Sequence, residues 1–222
     1  MSAEEEQRLY FRGVFGWMFL GLLVSALAAF VVAGNASLAS LILGTPLFWV
    51  IIIAELIVVV ALAGFVHKVS ATTATVLFLL YSLLTGLTLS VILLAYTFGS
   101  IGLVLVLTAG IFGAMTGWGF ITNTDLSKLG TILFFALLGI IIASVVNIWL
   151  QNSMADLVLS VLAIIVFMGL TAYDVQRLKT INIIGNHGTS ENHKETIVGA
   201  LTLYLDFINL FLNLLRLMGK RR

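Results

Sequence analysis

Cysteine is absent and proline occurs once, at Pro46. Without thiols there is no disulfide framework, thiolate metal site, cysteine nucleophile or thiol redox chemistry. With a single proline, a helix break anywhere else must come from glycine or from packing. Charge is scarce too: 9% of the 222 residues are Asp, Glu, Lys or Arg and 61% are apolar, whereas soluble domains carry about 25% charged residues. So few charges cannot cover a water-soluble surface. The net charge of +1 gives no field for capturing nucleic acid. The basic residues also fall in short segments rather than along one face, so no nucleic-acid partner is expected.

What the chain has instead is apolar runs long enough to cross a bilayer, which takes about 20 residues of helix. Reading these runs between polar breaks predicts seven helices, at about 14–34, 46–66, 73–96, 101–121, 129–150, 156–176 and 196–218. The breaks at Gly34-Asn35, Pro46, His67-Lys68, Gly99-Ser100, Thr122 to Lys128 and Gln151-Asn152 are all too short to hold another domain. One transmembrane domain over residues 1–222, all-α, is therefore expected. The first twelve residues carry Glu4, Glu5 and Glu6, unlike the basic start of a secretory signal, so the first run reads as a retained helix. No repeat period is evident. A stripe of Gly110, Gly113, Gly117 and Gly119 reads as a surface for close helix packing.

Orientation follows from Lys and Arg in short loops. A cytoplasmic N-terminus places Arg8, Arg12, Lys68, Lys128, Arg177, Lys179 and Lys194 inside and leaves the outer loops without a single Lys or Arg. The C-terminal Arg216, Lys220, Arg221 and Arg222 then lie outside if the seventh segment crosses, and inside if it dips in and returns. The segment from Lys179 to Lys194, with Asn186, His187, Gly188, Glu191 and His193, reads as a polar, mobile loop whose histidines are solvated rather than metal-bound.

Three acids fall inside apolar segments: Glu55, Asp174 and Asp206. An Asp at a helix centre costs on the order of 2.5–3.5 kcal/mol on insertion scales, so each needs a partner, a watery cavity or a proton. In the last segment Thr202, Asp206, Asn209, Asn213 and Arg216 are spaced 4, 3, 4 and 3 residues apart, which aligns them on one helix face. Such a stripe belongs toward the bundle interior, where it could line a pathway. Hydrogen bonds between helices would explain Asn209 or Asn213 singly, but explain Asp206 poorly. Asp174 lies near the end of segment six and has two readings: an interfacial ion pair with Arg177, or a partner for Asp206. Two carboxyls that meet in low dielectric cannot both ionise cheaply, so such a pair would share a proton or hold a hard cation such as Ca²⁺. Glu55 reads equally as a pathway-lining acid or a hydrogen-bonded structural one, and Asn147 as structural.

Five blocks in order then make the chain recognisable: Thr85-Gly86-Leu87-Thr88-Leu89-Ser90; Asp125-Leu126-Ser127-Lys128-Leu129-Gly130; Ile142-Ala143-Ser144-Val145-Val146-Asn147-Ile148; Ala172-Tyr173-Asp174-Val175-Gln176-Arg177-Leu178-Lys179; and Leu203-Tyr204-Leu205-Asp206-Phe207-Ile208-Asn209-Leu210-Phe211. The sequence resembles the transmembrane Bax-inhibitor-motif family, including its bacterial YetJ-like members. The resemblance implies a seven-helix bundle with the last helix central, acting as a pH-sensitive calcium leak of the bacterial inner membrane. It also implies that Asp174 and Asp206 form the family's di-aspartyl sensor. Two departures stand out. Val91 occupies the place where relatives often have proline after the Thr-Leu-Ser stretch, and Val66, His67 and Lys68 replace the arginine that latches the sensor in bacterial relatives. Lys68 supplies a point charge there but not a bidentate fork; Arg177 is the other candidate latch.

Two rival functions share features with this chain. An intramembrane aspartyl protease also uses two aspartates, one after a tyrosine as in Tyr173-Asp174. Its Gly-x-Gly-Asp motif is missing, because Asp206 follows Leu203-Tyr204-Leu205, and its Pro-Ala-Leu cannot be formed with Pro46 alone. The other rival is a non-transporting regulator that binds a membrane protease or channel, which fold alone does not exclude. Seven helices by themselves do not make a receptor. The expectation is thus a non-enzymatic pathway without a cofactor, monomeric, in contact with lipid, protons and permeant or weakly bound Ca²⁺, with other membrane proteins as further candidate partners.

Overall fold

Within a bilayer no water satisfies backbone N–H and C=O groups, so an open chain crosses as helix. The computed structural model describes residues 2–181 and 186–222. Among these the chain forms α1 (Ala3–Ala33), α2 (Ala36–Leu43), α3 (Leu47–Phe65), a 3-10 turn (Val66–Lys68), α4 (Ala71–Ala95), α5 (Phe98–Ile121), α6 (Ser127–Leu150), α7 (Ser153–Ile181) and α8 (Ser190–Met218). All but α2 are long and apolar enough to span a membrane, which gives the seven expected spans. The most exposed side chains of these helices include Trp149 at 78% and Ile121 at 75%. Surfaces of that kind require a hydrocarbon solvent.

Three boundaries differ from the expectation. Helix α1 begins eleven residues early, because Ser2 and Glu5 form a reciprocal capping box and three glutamates follow in the first turn, complementing the helix dipole. A polar helix start is invisible to a search for apolar runs. Helix α2 occupies the break before Pro46, capped by Asn35, whose Oδ1 accepts from the amides of Ser37 and Leu38. The expected loop from Lys179 to Lys194 is helical at both ends, since α7 continues to Ile181 and α8 starts at Ser190. Lys194 is buried there, paired with Glu191 at 2.8 Å, and His193 Nε2 lies 2.9 Å from Thr75 Oγ1. Residues 182–185 of that loop lie outside the described residues.

Helix α8 is unbroken over its 29 residues, a length of about 43 Å at 1.5 Å per residue. A re-entrant segment must turn back inside the membrane, and α8 does not. Its apolar window is also the most buried, with 61% of residues buried against at most 39% in the other spans, as expected for a helix surrounded by neighbours.

The described residues fall into two compact units, residues 1–96 with 181–204 and 222, and residues 97–180 with 205–221. In the first unit, α1 packs along α4, and α4 along α3. Gly86 allows the α1–α4 approach, because a Cβ there would sit 2.5 Å from the Ser25 carbonyl oxygen. Across the same seam Ser25 Oγ lies 2.6 Å from Ser82 O and 2.7 Å from the Tyr204 hydroxyl. In the second unit the α5 stripe behaves differently from expectation. Gly119 packs against the backbone of Ala172, but Gly110, Gly113 and Gly117 meet nothing within 4 Å. Only the residue facing α7 serves close packing. The segment after α8 is tied down where Lys220 O accepts from Thr97 N at 3.1 Å and Lys220 N donates to Ser100 Oγ at 2.9 Å.

Candidate functional site

Asp174 is held in place by the two residues before it. The Ala172 backbone abuts Gly119 of α5, and the Tyr173 ring lies where a Cβ on Gly130 of α6 would be, 2.5 Å from it. Two residues beyond, the Gln176 side chain donates to Thr124 O and accepts from Leu126 N, both at 2.8 Å, which pins the α5–α6 connection to α7. Lys179 follows, with Nζ 2.6 Å from Phe120 O and above that residue's ring. These contacts leave α7 little freedom to rotate about its axis at Asp174.

On α8, Asp206 precedes Phe207, whose ring meets Phe112 of α5 edge-on at a centroid distance of 5.4 Å. The two carboxyls are neighbours, close enough to act on each other. Both are buried, at 9% exposure for Asp174 and 4% for Asp206. Arg177, one turn further along α7, is the cation acting on Asp174. Asp206 Oδ2 is reached by no N–H or O–H group of a described residue. Ionised carboxyls only accept, so two of them side by side complete each other only through a proton on one or a cation between them.

The other predicted residues are engaged by local contacts. Glu55 lies in the first unit, half-buried, with Oε1 accepting from Thr85 Oγ1 at 2.7 Å and Oε2 3.4 Å from the Thr88 hydroxyl. On α8 the stripe back-bonds to its own helix. Thr202 Oγ1 donates to Val198 O at 3.0 Å, and the Asn209 and Asn213 amides donate to Leu205 O and Asn209 O at 2.8 Å each. Arg216 is exposed and pairs with Asp156 at 3.3 Å. Lys68, in the 3-10 turn of the first unit, rests its ammonium 5.3 Å from the centre of the Phe65 ring. Asn147 and Asn152 close the α6–α7 turn by two 3.2 Å bonds around Gln151, whose φ of 49° is left-handed. Among the described residues no group of three or more His, Cys, Asp or Glu side chains could hold a metal ion.

The family model described as "Inhibitor of apoptosis-promoting Bax1" matches residues 7–222. The chain belongs to the Bax inhibitor family. Among its relatives are the Escherichia coli inner membrane protein YbhL, 48% identical over 215 residues, or 96% of this chain and 92% of that one. An uncharacterised protein of Borreliella burgdorferi is 44% identical over 210 residues, covering 94% and 90%. One of Deinococcus radiodurans is 37% identical over 217 residues, covering 98% and 93%. This member of the Bax inhibitor family is accordingly a multi-pass protein of the bacterial inner membrane.

Several residues that build the site were not assigned a role from the sequence. Gly130, Tyr173 and Gln176 stood inside the family blocks, but their partners lie 43, 43 and 50 residues away or more in the chain, as Gly130 meets Tyr173 and Gln176 meets Leu126. Thr85 and Thr88 likewise lie 30 and 33 residues from Glu55, their partner. The available signal for Thr85 and Thr88 was their three-residue spacing, which puts both hydroxyls on one face of α4.

Proposed function

We propose that this Bax inhibitor family member is a pH-sensitive calcium-leak pathway, gated by a proton shared between Asp174 on α7 and Asp206 on α8. The observation that carries the reading is the buried Asp206 Oδ2, reached by no donor of a described residue, beside a second buried carboxyl. With the proton shared, the pair clamps α7 to α8 and the pathway is shut. When the proton leaves, two negative charges in low dielectric repel each other or take up a cation, and either event separates the helices. Calcium suits the opened site because it prefers carboxylate and carbonyl oxygens. Half-buried Asn209 and Asn213, one and two turns along α8 from Asp206, add polar groups on the same face.

The test is calcium flux into proteoliposomes across about pH 5.5 to 8.5. Wild type is expected to leak more as pH rises, and Asp174→Asn or Asp206→Asn to lose that dependence. Liposomes as tight as protein-free ones at every pH would remove the channel reading.

A further inference from the structure

At the end of α7 a cavity of about 310 Å³ opens against the α5–α6 connection, its wall including Arg177, Lys179, Asp125, Ser127, Tyr173 and Gln176. That volume lies at the lower end of ligand pockets, about 300–1,000 Å³, and fits a small polar group. Gln176 is spent on the connection itself. Two cations and one acid remain, and none is fully used. The Arg177 guanidinium acts electrostatically on Asp174 but forms no hydrogen bond or close salt bridge with a described residue, which leaves its planar fork of donors for a ligand. Lys179 commits one N–H to Phe120 O at 2.6 Å and keeps two.

Asp125 is the member that narrows the ligand. Its Oδ1 accepts the Ser127 amide at 2.9 Å. The Ser127 side chain and backbone amide hold the carboxyl below the usual carboxylate range, so it stays an anion at any physiological pH. A site for a simple anion would not keep this charge in its wall. A site for a simple cation would not carry Arg177 and Lys179. A ligand bearing both charges satisfies all three.

The location adds a second constraint. Helix α5 ends at Ile121, 75% exposed, and α6 starts at Ser127, so the cavity lies where two spans leave the hydrocarbon. Cationic side chains at that level meet lipid phosphates, and Lys179 Nζ lies there, 4.9 Å from the centre of the Phe120 ring.

We propose that this cavity binds a phosphate ester carrying a primary ammonium, with the phosphate on Arg177 and Lys179 and the ammonium on Asp125. An ethanolamine phospholipid headgroup and a soluble phosphoamine share that chemistry. Its test reads binding alone, without calcium flux.

The full chain, purified in detergent, is mixed with equal amounts of phosphatidylethanolamine, phosphatidylglycerol and phosphatidylcholine, and retained lipid is read by native mass spectrometry. Wild type is expected to prefer phosphatidylethanolamine about three- to fivefold, the size of one exposed charge pair. Asp125→Asn should erase the preference over phosphatidylglycerol while keeping phosphate binding. Arg177→Gln should weaken all phosphate-bearing ligands by a similar factor, and Lys179→Gln gives the same reading should Arg177→Gln fail to fold. Displacement of the lipid by soluble phosphoethanolamine at matched concentration supports the site and assigns a soluble ligand; retention against it supports the site and assigns the lipid. Equal retention of all three lipids, or a preference that survives both Asp125→Asn and Lys179→Gln, overturns the proposal.

Discussion

Glu55 and Asp206 are both acids inside membrane-spanning helices, yet the chain treats them differently. Glu55 is half-buried, and hydroxyls of Thr85 and Thr88 stand beside its two oxygens. Asp206 is 4% exposed, has an oxygen that no donor of a described residue reaches, and lies beside another acid. An acid supplied with donors is compatible with its charge; an acid supplied with a second acid is not, unless a proton or cation joins them. Position in an apolar segment therefore marks a residue as unusual, but the neighbours decide whether it can act as a switch.

The largest expected effect separates the two acids directly. Asp206→Asn places an amide beside Asp174, which donates to it at every pH, so the pH dependence of calcium flux should vanish. Glu55→Gln should leave that dependence in place, because Glu55 belongs to a different polar cluster. Loss of pH dependence in Glu55→Gln would break the comparison.

Next in size is the packing that positions Asp174. Gly119→Ala drives a Cβ into the Ala172 backbone and should destabilise by about 1–3 kcal/mol, the usual cost of overpacking. Gly113→Ala, on the same helix and in open space, should change stability by about 0.5 kcal/mol or less. Thermal unfolding in a single detergent reads both. Equal effects would mean that α7 is not held where the structure places it.

A smaller loss is expected on the Glu55 side. Thr85→Val removes the 2.7 Å donor to Oε1 while keeping shape, and should cost about 1 kcal/mol, since the acid is only half-buried. The smallest effect concerns Asp125, whose carboxyl lies below the usual range because Ser127 donates to it. A depressed carboxyl stabilises the fold fully above its unfolded value of about 3.9 and loses that contribution as pH falls through the lowered value. The melting temperature of Asp125→Asn should therefore fall less than that of wild type as pH drops below about 4, and coincide in slope above it.

Much of the fold was legible because membrane solvation is a blunt requirement. Seven apolar runs became seven spans, and no soluble architecture competes with that composition. The start of α1 was missed because its first turns are polar, although Ser2 and Glu5 carried the capping signal. Whether α8 crosses or returns was open from charge alone. Yet residues 200–218 contain neither proline nor glycine, and that uninterrupted stretch is what the continuous helix reflects.

The site was legible in its members and not in its pairing. Spacing aligned Thr202, Asp206, Asn209, Asn213 and Arg216 on α8, but it gave no distance between α7 and α8; the family resemblance, not periodicity, joined Asp174 to Asp206. Packing was less legible still. Gly110, Gly113, Gly117 and Gly119 look alike in sequence, and only Gly119 turned out to touch a neighbouring backbone. A glycine stripe shows where a helix could approach, while the side that receives a partner depends on the whole bundle.

The most direct measurement is infrared difference spectroscopy of the protonated carboxyl band near neutral pH, on wild type, Asp206→Asn and Glu55→Gln. A shared proton requires a band in wild type that persists in Glu55→Gln and disappears in Asp206→Asn. A wild type without the band, or a band removed by Glu55→Gln alone, would place the switch elsewhere than between Asp174 and Asp206.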